Sequence, residues 1–258
     1  MPCSNSELTK SVEKDWYAQK ANIRRKYISW VDFCPDYLKS PYKKYIGYFR
    51  QFADKAPRIL ELCCGMGEFS FDIERLSNGN VFCLDISKES IDICNHHLKE
   101  LGSRNLRFET ADVESIELPE HEFDIICMSG SLSYLNLDIF LTNIKKWLKP
   151  DGCLIVVDTY GYSPFFNLKR KLNYLFGKTT KQTVLGIPKK ETINAIKNCF
   201  EYSEINFYGV FAFIGPFLRY VVGDRMTTKI VDFLDKTFPI LSKYAFKFVF
   251  KGDIIKND

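Results

Sequence analysis

The stretch "RILELCCGMGEFS", residues 58–70, runs from an apolar, strand-like segment directly into two glycines that are one residue apart. Glycine adopts left-handed backbone conformations readily, and without a Cβ it lets a ligand approach the main-chain N–H groups. Such a turn fits an ordinary strand-to-helix connection, and it also fits a ligand-binding loop. The two glycines alone do not decide between these interpretations.

The chain around this turn alternates between strand-like and helical patterns. The strand-like runs cover residues 58–63, 80–85, 105–110, 123–128 and 153–158, and the helical patterns cover 68–77, 87–101 and 136–148. Alternation of this kind is typical of parallel βαβ units with helices on both faces of the sheet. We therefore predict an α/β fold with a doubly wound, mostly parallel sheet.

The flanking segments extend this core. Residues 1–57 are predicted to form an N-terminal helical cap with a helix over 9–27, and 58–160 form the core. Residues 161–190 are predicted to be a basic, loop-rich insert or lid. Residues 191–258 complete the sheet to seven strands. Their predicted elements are a helix over 189–200, a strand around 204–213, a helix near 224–242 and a final strand over 245–253. We interpret most of the aromatic residues between 207 and 220 as core rather than as the lining of an acceptor pocket.

Composition narrows the class of protein. The chain has 258 residues, 46% of them hydrophobic, which is enough for one sizeable core and excludes a disordered chain. Its nine cysteines are odd in number and lie mostly in apolar runs, which predicts reduced thiols and a cytoplasmic protein. Neither a C-x-x-C pair nor a zinc-like Cys/His spacing occurs, so we expect no metal. The N-terminus lacks the apolar region of a signal peptide, and the apolar run 205–218 is too short to span a membrane.

Acidic residues follow the strands at informative positions. Asp85 ends the second strand, 18 residues after Gly67, and Asp112 follows the third strand. In doubly wound sheets, ligands bind beyond the carboxyl ends of the strands. An acid at the end of strand two can accept hydrogen bonds from both hydroxyls of a ribose, and Asp112 is placed to meet an adenine amino group.

These motifs, in this order, resemble those of class I S-adenosylmethionine-dependent methyltransferases over residues 58–160. "ELCCGMG" is similar to the first motif of that family, "LDIS" to the second, "ADV" to the third, "FDIICMSGSLSYL" to the fourth and "LKPDGCLIVVDTYG" to the motif at strand five. The sequence departs from the family at Cys63, which stands where the first glycine of the first motif is expected. A small side chain remains there, so we expect the turn to be preserved.

The resemblance implies a Rossmann-like methyltransferase fold and a cofactor site for S-adenosylmethionine. It places Glu61 near the methionyl ammonium group, acting through water or an amide, and Gly65 and Gly67 beneath the methionyl and ribose groups. Asp85 would hold the ribose hydroxyls, and Asp112 would bind the adenine amino group. The other residues with an implied or suggested place at the cofactor are Tyr17, Cys63, Ile86, Val113, Ser129 and Gly130.

A nicotinamide dinucleotide is the competing cofactor. Its G-x-G-x-x-G fingerprint needs a small residue at position 70, and Ser70 is small. However, that fingerprint has no counterpart to Glu61, to Asp112 or to the "LKPDG" turn. The sequence therefore favours S-adenosylmethionine.

The acceptor is less constrained by the sequence than the cofactor. Methyl transfer to a hydroxyl benefits from a general base, and the candidates beside the expected methyl site are Asp158, Tyr160 and Tyr134. Asp158 can equally serve as a structural cap for loop amides.

The basic insert predicts the type of acceptor. Residues 168–190 hold seven Lys/Arg and no acid, which fits a solvated face, a phosphate-bearing or other anionic acceptor, or an anionic membrane surface. The layout after strand five is similar to methyltransferases that modify bacterial surface sugars or secondary metabolites. We therefore predict O-methylation of a small-molecule or lipid-linked glycan acceptor. The alternatives are an RNA methyltransferase and an inactive scaffold. The absence of a base-flipping or target-reading domain argues against DNA, and the oligomeric state stays open.

Overall fold

A computed structural model of the chain describes residues 29–32, 34–176 and 181–255. Seven strands form one sheet in the order β3-β2-β1-β4-β5-β7-β6. Their bounds are β1 Arg58–Leu62, β2 Asn80–Asp85, β3 Leu106–Thr110, β4 Phe123–Ser129, β5 Leu148–Thr159, β6 Phe200–Tyr208 and β7 Lys247–Ile255. Strands β3, β2, β1, β4 and β5 pair in parallel, whereas β7 pairs antiparallel with both β5 and β6. The predicted doubly wound, mostly parallel sheet is confirmed.

The helices of the described residues connect these strands. They are α1 Ser40–Phe49, α2 Ser70–Ser77, α3 Lys88–Leu101, α4 Leu137–Trp147, α5 Pro164–Leu175, α6 Lys181–Leu185, α7 Lys190–Asn198 and α8 Gly215–Thr237. The ends of α3 have clear local causes. Its N-cap Ser87 accepts a hydrogen bond from the Ser90 amide at 3.2 Å, and Gly102 ends it in a left-handed conformation with a φ of 68°.

Apolar side chains pack on both faces of the sheet, as expected for a sheet that is covered by helices on both sides. One face carries Leu60, Ile126 and Val156, which belong to the same cluster as Trp147 of α4. On the other face, Ile59, Cys83, Ile125 and Ile155 share a cluster with Tyr45 and Phe49 of α1. Residues that alternate along the central strands therefore serve two separate cores.

The segments after β5 differ from the predictions. In the described part of the insert, residues 161–176 and 181–190, two helices, α5 and α6, replace the predicted loop-rich structure. Strand β6 lies earlier than the predicted 204–213, since Gly209 with a φ of 76° ends it. The predicted helix over 224–242 begins at Gly215, and a separate 3-10 helix covers Pro239–Tyr244. Strand β5 begins at Leu148 and so includes the whole of the predicted "LKPDG" turn.

The assignment of the late aromatic residues to the core is wrong for Phe213, Phe217 and Tyr220, which are exposed. The side chains of Phe217 and Tyr220 are 72% and 93% exposed. Both lie in the first part of α8, which Gly223 separates from the remainder by its non-helical backbone with a φ of 75°. The predicted helix over 9–27 lies outside the described residues. Among the helices that the structure does describe, none combines the length and the hydropathy needed to cross a membrane.

Candidate functional site

The turn after β1 is left-handed at three of five consecutive residues. Cys63, Gly65 and Gly67 have φ values of 54°, 58° and 76°. Hydrogen bonds hold the turn against the sheet and within itself: the Cys64 amide donates to the Leu84 carbonyl at 2.9 Å, and the Gly67 amide donates to the Cys64 carbonyl at 3.0 Å. Cys63 therefore adopts the backbone conformation of the glycine that it replaces, at an expense of roughly 1–2 kcal/mol for a residue with a Cβ.

Asp85 fixes this turn to the end of β2. One of its carboxylate oxygens accepts a hydrogen bond from the Gly65 amide at 2.8 Å, and the other accepts from the Ser87 amide at 2.9 Å. Burial raises the pKa of Asp85, and the hydrogen bonds from the backbone of Ser87, Gly65 and Ile86 oppose that shift. A carboxylate offers about four acceptor sites, so Asp85 retains capacity to accept a hydrogen bond from a ligand.

Glu61 is buried beneath the turn and not within it. Its carboxylate accepts hydrogen bonds from the Ser70 hydroxyl at 2.5 Å and from the Cys83 thiol at 3.4 Å. Burial raises its pKa to about 7, against the opposing effect of these two donors. Ser70 opens α2, so Glu61 connects β1 to the helix that follows the glycine turn. The sequence did not identify Ser70 or Cys83 as its partners.

The residues after β3 line the next strand end along the sheet. The Asp112 carboxylate accepts from the Glu114 amide at 3.0 Å, and the Asp112 carbonyl accepts from the Ser115 and Ile116 amides. Val113 is buried, whereas Ile86, which follows β2, is partly exposed. Because β2 and β3 are parallel neighbours, these residues lie at the same edge of the sheet as Asp85.

Ser129 and Gly130 close the site at the end of β4. The Gly130 amide donates to the Val157 carbonyl at 2.8 Å, and the Ser131 hydroxyl donates to the Ser129 carbonyl at 3.1 Å. Gly130 has a φ of 69° and open space where a Cβ would project. The structure therefore brings the ends of β1, β2, β3 and β4 to one edge, with the predicted residues on it.

Asp158 lies near the end of β5 and is only 2% exposed. Its carboxylate accepts a hydrogen bond from the Leu132 amide at 2.8 Å, and thereby connects β5 to the loop after β4. Burial raises its pKa, and Lys247 together with the amides of Leu132, Thr159 and Ser131 opposes the shift. Asp158 therefore has the structural role considered for it, as an acceptor for loop amides. Because burial raises its pKa, it also takes up a proton more readily than an exposed aspartate does.

The two tyrosine candidates differ in their surroundings. Tyr160 is buried in an aromatic cluster, where its ring lies 5.2 Å from Tyr162 and 5.0 Å from Phe207, measured between centroids. Burial raises its pKa. Tyr134 lies in a 3-10 helix over Leu132–Tyr134, directly after the β4 loop. Tyr17 lies outside the described residues.

Two cations lie near Asp158 at positions that the sequence did not predict. Lys247, the first residue of β7, is buried with its Nζ 3.5 Å from the Thr159 hydroxyl and 5.1 Å from the Tyr42 ring centroid. Arg170 of α5 has a pKa lowered to about 10 by desolvation, which the nearby Asp158 partly offsets. Its Nη2 atom is buried without a hydrogen-bond partner among the residues described. The sequence signal that could have found Lys247 is its position two residues before Val249, which places both on the same buried face of β7.

Comparison with known sequences gives the family. Residues 53–203, which are more than half of the chain, match the sequence model of a methyltransferase domain. The chain belongs to this methyltransferase domain family. The predicted class I methyltransferase domain, and S-adenosylmethionine as the cofactor of that class, are thereby confirmed at the level of the family.

Individual relatives of the methyltransferase domain are more distant. The chain is 31% identical over 130 residues to malonyl-[acyl-carrier protein] O-methyltransferase 2 of Ilyobacter polytropus, a match that covers 49% of the chain and 48% of the relative. It is 30% identical over 106 residues to demethylmenaquinone methyltransferase of Lactococcus lactis, which covers 39% of the chain and 41% of the relative. The chain thus spans about half the length, or less, of these curated relatives.

A solved structure supports the fold. The structure of phosphoethanolamine N-methyltransferase 2 of Haemonchus contortus, in complex with phosphomonomethylethanolamine and S-adenosylhomocysteine, matches with a TM-score of 0.60. The match covers 84% of this chain and 53% of that one, at 12% identity. At this identity the likeness establishes the arrangement of helices and strands.

Proposed function

We propose that this methyltransferase domain binds S-adenosylmethionine at the carboxyl edge of its sheet and transfers the methyl group to a hydroxyl of a small-molecule or lipid-linked glycan acceptor. The observation that carries the proposal is the left-handed glycine turn joined to the acid of β2, through the 2.8 Å hydrogen bond from Gly65 to Asp85. Family membership supports the cofactor, and the layout after β5 supports the acceptor class.

Each strand end then has a role in holding the cofactor. Gly65 and Gly67 pass beneath the methionyl and ribose groups, since neither places a Cβ against them. Asp85 accepts from the ribose hydroxyls while it keeps its own two backbone donors. Asp112 accepts from the adenine amino group. The other proposed contacts are Ile86 and Val113 at the adenine ring, Ser129 and Gly130 at the methionine group, and Tyr17 as a cover.

Glu61 contributes indirectly in this proposal. Its burial keeps it from direct contact with the cofactor, but its hydrogen bond to Ser70 fixes the start of α2 and the backbone above it. A positively charged methionyl ammonium near the turn would favour the ionised form of Glu61. Glu61 is therefore a positioning residue. Cys63 adopts the left-handed backbone conformation of a glycine but also carries a thiol side chain.

The reaction needs little from the protein beyond position and a path for one proton. Bound S-adenosylmethionine supplies a methyl group on an activated sulfonium. The chain has to align an acceptor with that carbon and exclude water. We assign Asp158 as the first candidate to accept the hydroxyl proton, because burial already raises its pKa. Tyr134 and Tyr160 are the alternatives at the ends of β4 and β5.

The names of the relatives are compatible with this acceptor class and do not define it. One relative is named for O-methylation of a malonyl group on a carrier protein and another for methylation of demethylmenaquinone. Both names describe acceptors other than nucleic acid. Because the insert is basic, RNA stays a candidate acceptor that binding experiments should test. Affinity for RNA that falls steeply as the salt concentration rises would support it.

Calorimetric titration tests the cofactor first. Wild-type protein should bind S-adenosylmethionine and S-adenosylhomocysteine but not NADH, and Asp85→Ala should weaken both of the former. Asp92→Ala is the matched control, because Asp92 is an exposed acid on α3 that pairs with Lys88. Binding to none of these ligands would favour the scaffold alternative. A screen of sugars and lipid-linked glycans, with RNA as the comparison, then tests the acceptor.

A further inference from the structure

Helix α5 presents an apolar stripe to solvent, whereas its inward side carries Phe166, stacked on Phe246, together with polar side chains. The side chains that face inward include Asn167, which donates to the Gly161 carbonyl at 2.7 Å, and Arg170. The outward stripe follows the three- and four-residue spacing of one helix face and consists of Phe165, Leu168, Leu172 and Leu175, all exposed. Surface helices ordinarily have the opposite orientation, with the apolar stripe against the core.

The first part of α8, Gly215–Val222, is a second exposed apolar element. Phe217, Tyr220 and Val221 all project into solvent there. Gly223 breaks the helix directly after this part, so the apolar part is set apart from the charged remainder. Its one charged residue is Arg219, which pairs with Asp224 at 2.8 Å.

These two elements adjoin each other at one aromatic pair. Phe165 of α5 stacks on Phe213, just before α8, with ring centroids 3.8 Å apart and planes 9° from parallel. We name the surface the exposed apolar face, and it comprises Phe165, Leu168, Leu172, Leu175, Phe176, Phe213, Phe217, Tyr220 and Val221. Soluble proteins rarely leave apolar areas of this extent uncovered unless the area binds something.

The exposed apolar face lies at the same edge of the sheet as the candidate site. Helix α5 follows the carboxyl end of β5, and the segment before α8 follows the carboxyl end of β6. The backbone connects these ends directly, because the Tyr160 amide donates to the Phe246 carbonyl at 2.8 Å and the Phe246 amide donates to the Tyr208 carbonyl at 2.9 Å. A ligand delivered along this face therefore arrives at the end of β5.

Positive charge borders the exposed apolar face. Lys169 and Lys171 are exposed on either side of the α5 stripe, and residues 168–190 hold seven Lys/Arg and no acid. Apolar and aromatic side chains flanked by cations are typical of helices that lie in the interface of an anionic bilayer. A second copy of the chain fits less well, because two such basic segments would meet in one interface and repel each other.

We propose that the exposed apolar face docks on an anionic lipid bilayer, with α5 and the first part of α8 lying in the plane of the headgroups. The docking surface stands on its own observations. Its use, the presentation of a lipid-linked acceptor to the end of β5, rests on the proposed methyltransferase function. The acceptor would then enter from the membrane, and the cofactor from the aqueous side.

Vesicle flotation tests the docking surface in the full chain. The probes are vesicles of phosphatidylcholine alone and of phosphatidylcholine with phosphatidylglycerol. Wild type should float with the anionic vesicles, and salt should weaken the binding. Phe217→Ser with Tyr220→Ser should reduce vesicle affinity at least tenfold, and Lys169→Gln with Lys171→Gln should reduce it about tenfold at low salt. The matched control is Lys99→Gln with Leu101→Ser, since Leu101 is 61% exposed at the end of α3, and it should float like wild type.

The outcomes separate the docking surface from the proposed function. Titration with S-adenosylhomocysteine on the same preparations should give wild-type affinity for every variant, which also shows that each is folded. Absence of flotation by wild type, or equal losses in the control, would overturn the docking surface. A dimer in sedimentation experiments that disappears in the Phe217/Tyr220 variant would assign the face to a second copy instead. Flotation without cofactor binding would leave the docking surface standing and remove the methyltransferase proposal.

Discussion

Replacement of Glu61 by glutamine should make the domain more stable at neutral pH, although it replaces the carboxylate that accepts hydrogen bonds from Ser70 and Cys83. The pKa of Glu61 is about 7 in the folded chain, raised from the ordinary value of 4.5 by burial. The folded state therefore retains a proton that the unfolded state releases as the pH rises through this interval. Stability falls over the same interval, by about 3 kcal/mol in total, because each unit of pKa difference corresponds to about 1.4 kcal/mol.

Glutamine keeps a carbonyl oxygen for the Ser70 hydroxyl and does not ionise, so it should lack this dependence. Urea unfolding of Glu61→Gln and wild type at about pH 5 and about pH 8 measures the difference. The advantage of the variant should grow by about 2.5 kcal/mol from the lower to the higher pH, because the unfolded state has already released most of this proton at about pH 5. Glu120→Gln, an exposed acid before β4, is the control and should show no such growth. A constant difference between Glu61→Gln and wild type would refute the assignment of Glu61 as a buried acid that titrates near neutrality.

Three further substitutions test the site. Cys63→Gly should be more stable than Cys63→Ala by about 1 kcal/mol, because only glycine relieves the left-handed backbone. At Cys153 in β5, which is the control, the alanine variant should be the more stable of the two. If urea unfolding finds the glycine variant more stable at both positions, the result would argue against a left-handed turn. Asp85→Ala should weaken S-adenosylhomocysteine binding at least tenfold and reduce stability by about 1–3 kcal/mol through the loss of acceptors for two amides, and unchanged affinity in calorimetry would remove Asp85 from the cofactor site. Asp158→Asn keeps an oxygen for the Leu132 amide but takes up no proton, so turnover should fall about 10²–10⁴-fold with cofactor affinity preserved; normal turnover would leave Asp158 a purely structural role.

The cofactor half of the site could be predicted from sequence because its determinants are local. A strand that leads into Cys63 and Gly65, and another that ends at Asp85, specify the backbone at one edge once the sheet is parallel. The same applies to α3, whose Ser87 cap and Gly102 stop are visible in the sequence. Cys63 even appeared as a departure from the family pattern, and the structure places it in the glycine conformation.

The acceptor half depends on contacts between distant segments, which a single sequence does not display. Lys247 comes to the Asp158 region only because β7 inserts antiparallel beside β5. The order of the late strands is a tertiary result, and the positions of Lys247 and Arg170 follow from it. Helix α5 was not predicted, because the charge of its segment indicated a loop. Its apolar residues do have helical spacing, but they point to solvent and not to the core. The exposure of Phe217 and Tyr220 likewise follows from the break at Gly223, and their aromatic character alone suggests burial.

The outward stripe of α5 also determines how the purified protein should behave in a test tube. Leu175, at the end of that stripe, is 75% exposed, and in plain buffer the only apolar material available to cover it is another molecule of the same protein. Recovery and colloidal stability should therefore depend on concentration and improve with a mild non-ionic detergent. An assay in detergent-free buffer would measure molecules whose α5 is covered by another copy of the protein, so lipid or detergent belongs in the assay buffer before a low turnover is attributed to chemistry.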